Sequence, residues 1–245
     1  MNRAASVAGE IAAQLRAAGT PERAAAEKRY LKSDLEFYGV TVPAIRRIAI
    51  GVWRDGPTFD HGDLVAAVDV LWATGVHECR MAAVELLAEA SDLLGRGDIA
   101  LLERFLRESR TWALVDGLAA TVVGGLDTRV GIGETLERWS TDEDFWIRRS
   151  ALLAHLGGLR TGEGNLDRFL RFAEGMLDEK EFFIRKAIGW CLRELGRSRP
   201  DVVEAWLAPR TDRASGVTMR EAVKRLEPAA ATRLMDAYRE GRPAV

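Results

Sequence analysis

Five segments of the chain align without gaps at a period of about 35 residues, and such self-similarity leaves a chain few ways to fold. They are ECRMAAVELLAE (78–89), WALVDGLAATVV (112–123), WIRRSALLAHLG (146–157), FIRKAIGWCLRE (183–194) and TMREAVKRLEPA (218–229). Their fifth residues, Ala82, Asp116, Ser150, Ala187 and Ala222, stand 34, 34, 37 and 35 positions apart. Inside and between these segments apolar residues recur at three- and four-residue steps, as in Leu64, Val65, Val68, Leu71 and Trp72, or Met81, Val84, Leu86 and Leu87, which is helical periodicity. Short breaks such as Ala73-Thr74-Gly75, Gly95-Arg96-Gly97 and Thr161-Gly162-Glu163-Gly164 separate the helices, and strand-like alternation is absent. One helical hairpin of this size cannot bury its apolar face alone and must stack on its neighbours. The expected fold is all-α, a curved α-solenoid of helical hairpin repeats forming a single domain over residues 1–245.

Charge limits what such a scaffold can bind. The net charge of −2 excludes a uniformly basic nucleic-acid binder, so any anion-binding surface must come from local segregation. Residues 145–199 carry eleven Lys or Arg against seven Asp or Glu, a local excess of four positive charges. That excess is readable either as a solvated helix face or as a basic patch. Acidic residues at 142–144 and 178–181 precede two of the aligned helices, where they favour the positive helix N-terminus. The two cysteines, Cys79 and Cys191, lie far apart among helix-forming residues and read as buried small hydrophobes rather than a disulfide or metal framework. No signal-like apolar core or membrane-length run is present, so a cytoplasmic, monomeric protein is expected.

At the fifth aligned position every repeat carries Ala or Ser except the second, which carries Asp116. A carboxylate in a slot reserved for small residues must be paired, solvated or functional. Trp112 lies four residues earlier on the same helical face, and Trp190 occupies the eighth aligned position of the fourth segment. Taken singly, each Trp is readable as core packing and Asp116 as a cap or ion-pair partner; Trp53, Trp72, Trp139 and Trp206 read as core. The three gain weight together only if the repeats carry them onto one surface. Other chemistries lack residues: His61, His77 and His155 show no metal-ligand spacing, and no phosphate-cradling Gly-rich loop or nucleophile elbow occurs. No metal or other cofactor is expected. A carboxylate, aromatic rings and basic side chains remain, suited to stabilising a cation beside a polyanion.

These residues bring the chain close to one family. Over residues 28 to 228 it resembles the AlkD-type DNA alkylation repair proteins, HEAT-like helical-repeat DNA glycosylases. KEFFIRKAIGWCLRELGRSRPDVVEAWL (180–207) is the most specific stretch, supported by REAVKRL (220–226), FWIRRSALL (145–153), the WxxxD of Trp112 to Asp116 and RYLKSDLEFYGVTVPAIRR (29–47). The resemblance implies that Asp116 is the catalytic carboxylate and that Trp112 and Trp190 pack against the deoxyribose of a damaged nucleotide. It also implies that Arg149 approaches the DNA backbone, Tyr30 contacts the groove edge and Arg193 contacts a phosphate; Arg148 and Lys186, from the basic stretch, join them as candidate DNA-binding residues. Thr111 departs from the second Trp that family members often carry, and Gly157 from a Lys near that point, which bears on substrate range and DNA grip. The implied activity is excision of cationic N3- or N7-alkylated purines from double-stranded DNA, without a base-flipping pocket. A non-catalytic DNA-binding repeat protein and a protein-interaction scaffold are the alternatives.

Overall fold

The computed structural model describes residues 3–56 and 58–241. Among them every regular element is helical, and the one β-type contact is an isolated parallel bridge between Glu36 and Val76. Residues 1–122 and 123–245 form two compact units.

The first unit contains α1 (Arg3–Ala18), α2 (Pro21–Leu31), α3 (Val42–Asp55), α4 (His61–Ala73), α5 (His77–Glu89), α6 (Ile99–Ser109) and α7 (Trp112–Gly117). Helix α5 packs against α3, α4 and α7, and α1 against α3 and α4. Their interface buries Ile11, Leu15, Ile45, Leu64, Leu71, Trp72, Leu86 and Leu87. Burial of each such side chain stabilises the fold by about 1.5–3 kcal/mol. Asp60 closes a capping box with Asp63 at the start of α4, and Gly75, with φ of 70°, ends that hairpin arm where a side chain would strain the turn. The loop before α3 is tied down by Glu78, a fully buried carboxylate that accepts hydrogen bonds from the amides of Tyr38 (2.9 Å), Gly39 (2.6 Å) and Val40 (3.1 Å).

The second unit contains α8 (Gly124–Val130), α9 (Gly133–Trp139), α10 (Phe145–Leu153), α11 (Leu156–Thr161), α12 (Leu166–Gly175), α13 (Phe182–Leu195), α14 (Pro200–Leu207), α15 (Gly216–Ala222) and α16 (Pro228–Glu240). Helix α13 lies between α10 and α15. The acidic residues anticipated ahead of these helices act as caps: Asp144 accepts from the Trp146 amide and Glu181 from the Phe183 amide. Against α15 the approach is so close that a Cβ on Gly189 would stand 2.7 Å from Cβ of Glu221 and 2.9 Å from the Thr218 carbonyl oxygen.

The repeat period returns in the side-chain ties. In the first unit Arg54 pairs with Glu89 and Arg104 with Asp69, each 35 residues apart, and Trp72 donates to Glu108, 36 residues on. In the second unit Arg160 pairs with Glu194 and Arg171 with Glu137 at a separation of 34, and Lys186 with Glu221 and Arg213 with Asp178 at 35. Within each unit, then, side chains about one period apart in sequence meet. Cys79 and Cys191 are fully buried, as are Trp72 and Trp139, with Trp206 at 8% exposure. Trp53 departs from the core expectation: it is half-buried, with its ring stacked on Phe59 at 4.2 Å. The last aligned segment also runs past its helix, since α15 ends at Ala222 and a single 3-10 turn, Val223–Arg225, follows.

Candidate carboxylate and nucleic-acid site

Helix α7 divides its residues cleanly. Leu114 and Val115, followed by Leu118, Ala119 and Val122, are buried, whereas Trp112, Ala113, Asp116 and Gly117 form the partly exposed stripe. Asp116 therefore stands on the accessible side, one turn along from Trp112 and beside two residues too small to cover it. At the equivalent position of the other repeats Ala82, Ser150, Ala187 and Ala222 are all sealed at 0% exposure. The slot that packs shut elsewhere is open at the one repeat that fills it with a carboxylate. Directly after α7, Leu118–Val123 forms a π-helical turn, a widened conformation that often accompanies functional sites. Trp112 meets the ring of Tyr30 edge to face, with centroids 5.9 Å apart and planes at 89°. Tyr30, at the end of α2, is 72% exposed and is the most exposed large hydrophobic residue described. One aromatic wall thus rises beside the carboxylate from a second helix.

In the second unit Lys186, Trp190 and Arg193 share one face of α13, at steps of four and three residues. Trp190 is half-buried. Lys186 (2.5 Å), Arg193 and Lys224 (2.9 Å) converge on the carboxylate of Glu221. Burial alone would raise the Glu221 carboxyl, but hydrogen bonds from Lys186 and Lys224 and the charge of Arg193 override it and hold the group at about 2. Three cations thus meet at Glu221, with Arg193 also 3.7 Å from Glu194, on a partly exposed surface. It is extended by Arg160 and Arg197, which both contact the buried carboxylate of Glu194.

Arg148 and Arg149 are placed differently. Arg148 pairs bidentately with Glu179 (2.9 and 2.7 Å) and donates to the carbonyl oxygens of Asp142 (2.6 Å) and Glu143 (2.9 Å), so its guanidinium holds the loop ahead of α10 to the next repeat. Arg149 is 2% exposed, donates to the Phe183 carbonyl and lies 5.8 Å from the centre of the Phe183 ring. Both cations are engaged within the protein. Of the site residues read from sequence, then, Trp112 and Asp116 share the partly exposed stripe of α7, Tyr30 meets Trp112 ring to ring, and Lys186 and Arg193 meet through Glu221 on the α13 face that carries Trp190. Arg160 and Arg197 were counted in the basic stretch but not singled out, and Lys224 was not singled out although the REAVKRL stretch contains it and the spacing of Lys186 to Glu221 repeats the period.

Among the described residues no cluster of three or more His, Cys, Asp or Glu could hold a metal ion, and no helix is long and apolar enough to cross a membrane. A family model described as DNA alkylation repair enzyme matches residues 11–226. Among solved structures, a predicted DNA alkylation repair enzyme from Enterococcus faecalis superposes with a TM-score of 0.75 at 22% sequence identity, covering 86% of this chain and 97% of that one. At that identity the likeness concerns the fold. No curated protein matches significantly. With an all-helical fold and a family model matched over nearly its whole length, this chain belongs to the DNA alkylation repair enzyme family.

Proposed function

We propose that the protein is a DNA glycosylase that hydrolyses the N-glycosidic bond of cationic N3- or N7-alkylated purines in duplex DNA, with Asp116 as its catalytic carboxylate. The observation that carries this reading is the exposure of Asp116 at a position sealed in the four other repeats. Family membership supplies the role in DNA repair. The hairpins read as HEAT-like repeats, supported by ties that span one period.

An alkylated purine carries its positive charge on the leaving group, so cleavage needs no proton from the protein. As the bond lengthens, positive charge develops on the sugar, and a fixed carboxylate stabilises that oxocarbenium-like transition state more than the neutral sugar of the ground state. Asp116 fulfils this role and orients the attacking water. The Trp112 ring attracts the same developing cation and displaces solvent around it, which strengthens the field. Tyr30 braces that ring, and Lys186, Trp190 and Arg193 contact the DNA strand. Arg148 and Arg149 then position neighbouring elements through Glu179 and Phe183.

The test is release of free 7-methylguanine and 3-methyladenine from methylated duplex DNA. Asp116→Asn keeps the shape of the side chain and removes its charge; the expected fall in single-turnover rate is about 10²–10³. Absence of base release by the wild-type protein from any cationic lesion would overturn the reading, as would full activity in Asp116→Asn.

A further inference from the structure

Between the C-terminal ends of α2 and α6 lies an open cleft of about 640 Å³ within the first unit. Four basic side chains, Lys32, Arg80, Arg107 and Arg110, line it against two acidic ones, Asp34 and Glu108. Glu108 is already committed: it accepts from the Trp72 indole at 2.8 Å and lies 3.9 Å from Arg104. Arg80 is held rigidly over the Trp72 ring at 4.8 Å, donating to the carbonyl oxygens of Trp72 (3.2 Å) and Glu108 (2.8 Å). Burial, and then the neighbouring charge of Arg110, disfavour the charged form of Arg80, while Glu108 opposes them.

Lys32 and Arg110 are unusual in a second respect. They are the two non-glycine residues with positive φ among the described residues, at 49° and 48°. Each caps the C-terminus of its helix, a position that glycine fills without strain. A helix C-terminus favours a cation, but that preference is met equally by a Lys or Arg inside the last turn. Twice the chain accepts a left-handed β-carbon and puts a long basic side chain at the mouth of one cleft. Both are exposed, and neither side chain forms an ion pair or hydrogen bond among the described residues. Lys32 follows Tyr30 by two residues, and Arg110 precedes Trp112 by two, so each cation stands two residues along the chain from one member of the aromatic pair.

We propose that this cleft is a binding site for a phosphodiester group of the DNA strand, held by Lys32 and Arg110 next to Tyr30 and Trp112. It rests on DNA as the substrate in the reading above and not on the glycosylase chemistry. A phosphodiester fits because its two unesterified oxygens can take a guanidinium in bidentate fashion and an ammonium as a point charge.

The experiment titrates an end-labelled, lesion-free duplex with the full chain at several salt concentrations. Wild type is compared with Lys32→Gly/Arg110→Gly and with Arg233→Ala/Arg239→Ala, which removes two cations on α16. Loss of one phosphate contact makes the slope of log Kd against log salt shallower by about one, and the thermal midpoint is expected to hold or rise because glycine relieves the left-handed strain. Wild-type slope and affinity in the glycine variant, or an equal loss in the α16 variant, would overturn the proposal. Base release is measured separately, so wild-type binding without turnover would sink the glycosylase reading and leave this one standing.

Discussion

A threonine hydroxyl with no partner sits one residue ahead of Trp112. Thr111 is 2% exposed, its Oγ1 has no hydrogen bond, and as the N-cap of α7 it makes no side-chain capping bond either. A buried hydroxyl left unsatisfied costs about 1–3 kcal/mol. Thr111→Val removes the polar atom and keeps the branched shape, so it should stabilise the protein by about 1 kcal/mol in urea unfolding without slowing base release. Asp116 shows the opposite relation between residue and place. Its four counterparts have no exposed surface, so an aspartate introduced at Ala187 would be fully desolvated, while the native one keeps part of its surface accessible.

Glu78 acts at the level of elements. Through three amides it fastens the segment between α2 and α3 onto α5, and no water is needed to satisfy the buried carboxylate. Glu78→Ala orphans all three donors at once. The expected loss is about 3 kcal/mol or more in denaturant unfolding, with Tyr30 and Trp112 losing their mutual contact as α2 loosens, visible as a change in tryptophan fluorescence. None of this was legible from the sequence, where Glu78 read as the polar first residue of an amphipathic repeat. The longer helices were legible, because they have enough turns to show their 3.6-residue pattern, and so was the unusual place of Asp116, because the repeat supplied a reference for what belongs in its slot. Arg148 and Arg149 show where that kind of reading stops. Local pattern marked them as basic and helical, but Glu179 and the Phe183 carbonyl, which claim them, lie 31 and 34 residues on. Whether a cation faces solvent or a partner one repeat away depends on packing.

At the scale of the molecule, each unit carries one buried histidine that resists protonation. Burial, reinforced by Arg80, pushes His77 down to about 4, although Glu78 pulls the other way. Burial and Arg168 do the same to His155, also about 4; its Nε2 accepts from Arg168 and its Nδ1 donates to the Ala151 carbonyl, which fixes the neutral tautomer. In the unfolded chain these rings take up protons near 6.5, so between that pH and 4 the unfolded state binds more protons than the native one. Stability is therefore full above pH 6.5 and falls as the pH drops toward 4, by up to about 3 kcal/mol for each histidine. Urea midpoints measured from pH 7.5 to 4.5 should show this slope. His77→Phe, which keeps the 4.7 Å stack on Phe37 and discards a ring nitrogen that has no partner, should flatten about half of it.

The ties between repeats have a consequence for how such a chain can change in length. Arg54 to Glu89 in the first unit, and Lys186 to Glu221 and Arg213 to Asp178 in the second, each span 35 residues, so a hairpin that carries such a tie supplies one end of a bond that reaches one period along the chain. Within a unit, gain or loss of a whole period keeps such ties in register, whereas a change of half a period would leave their partners unpaired.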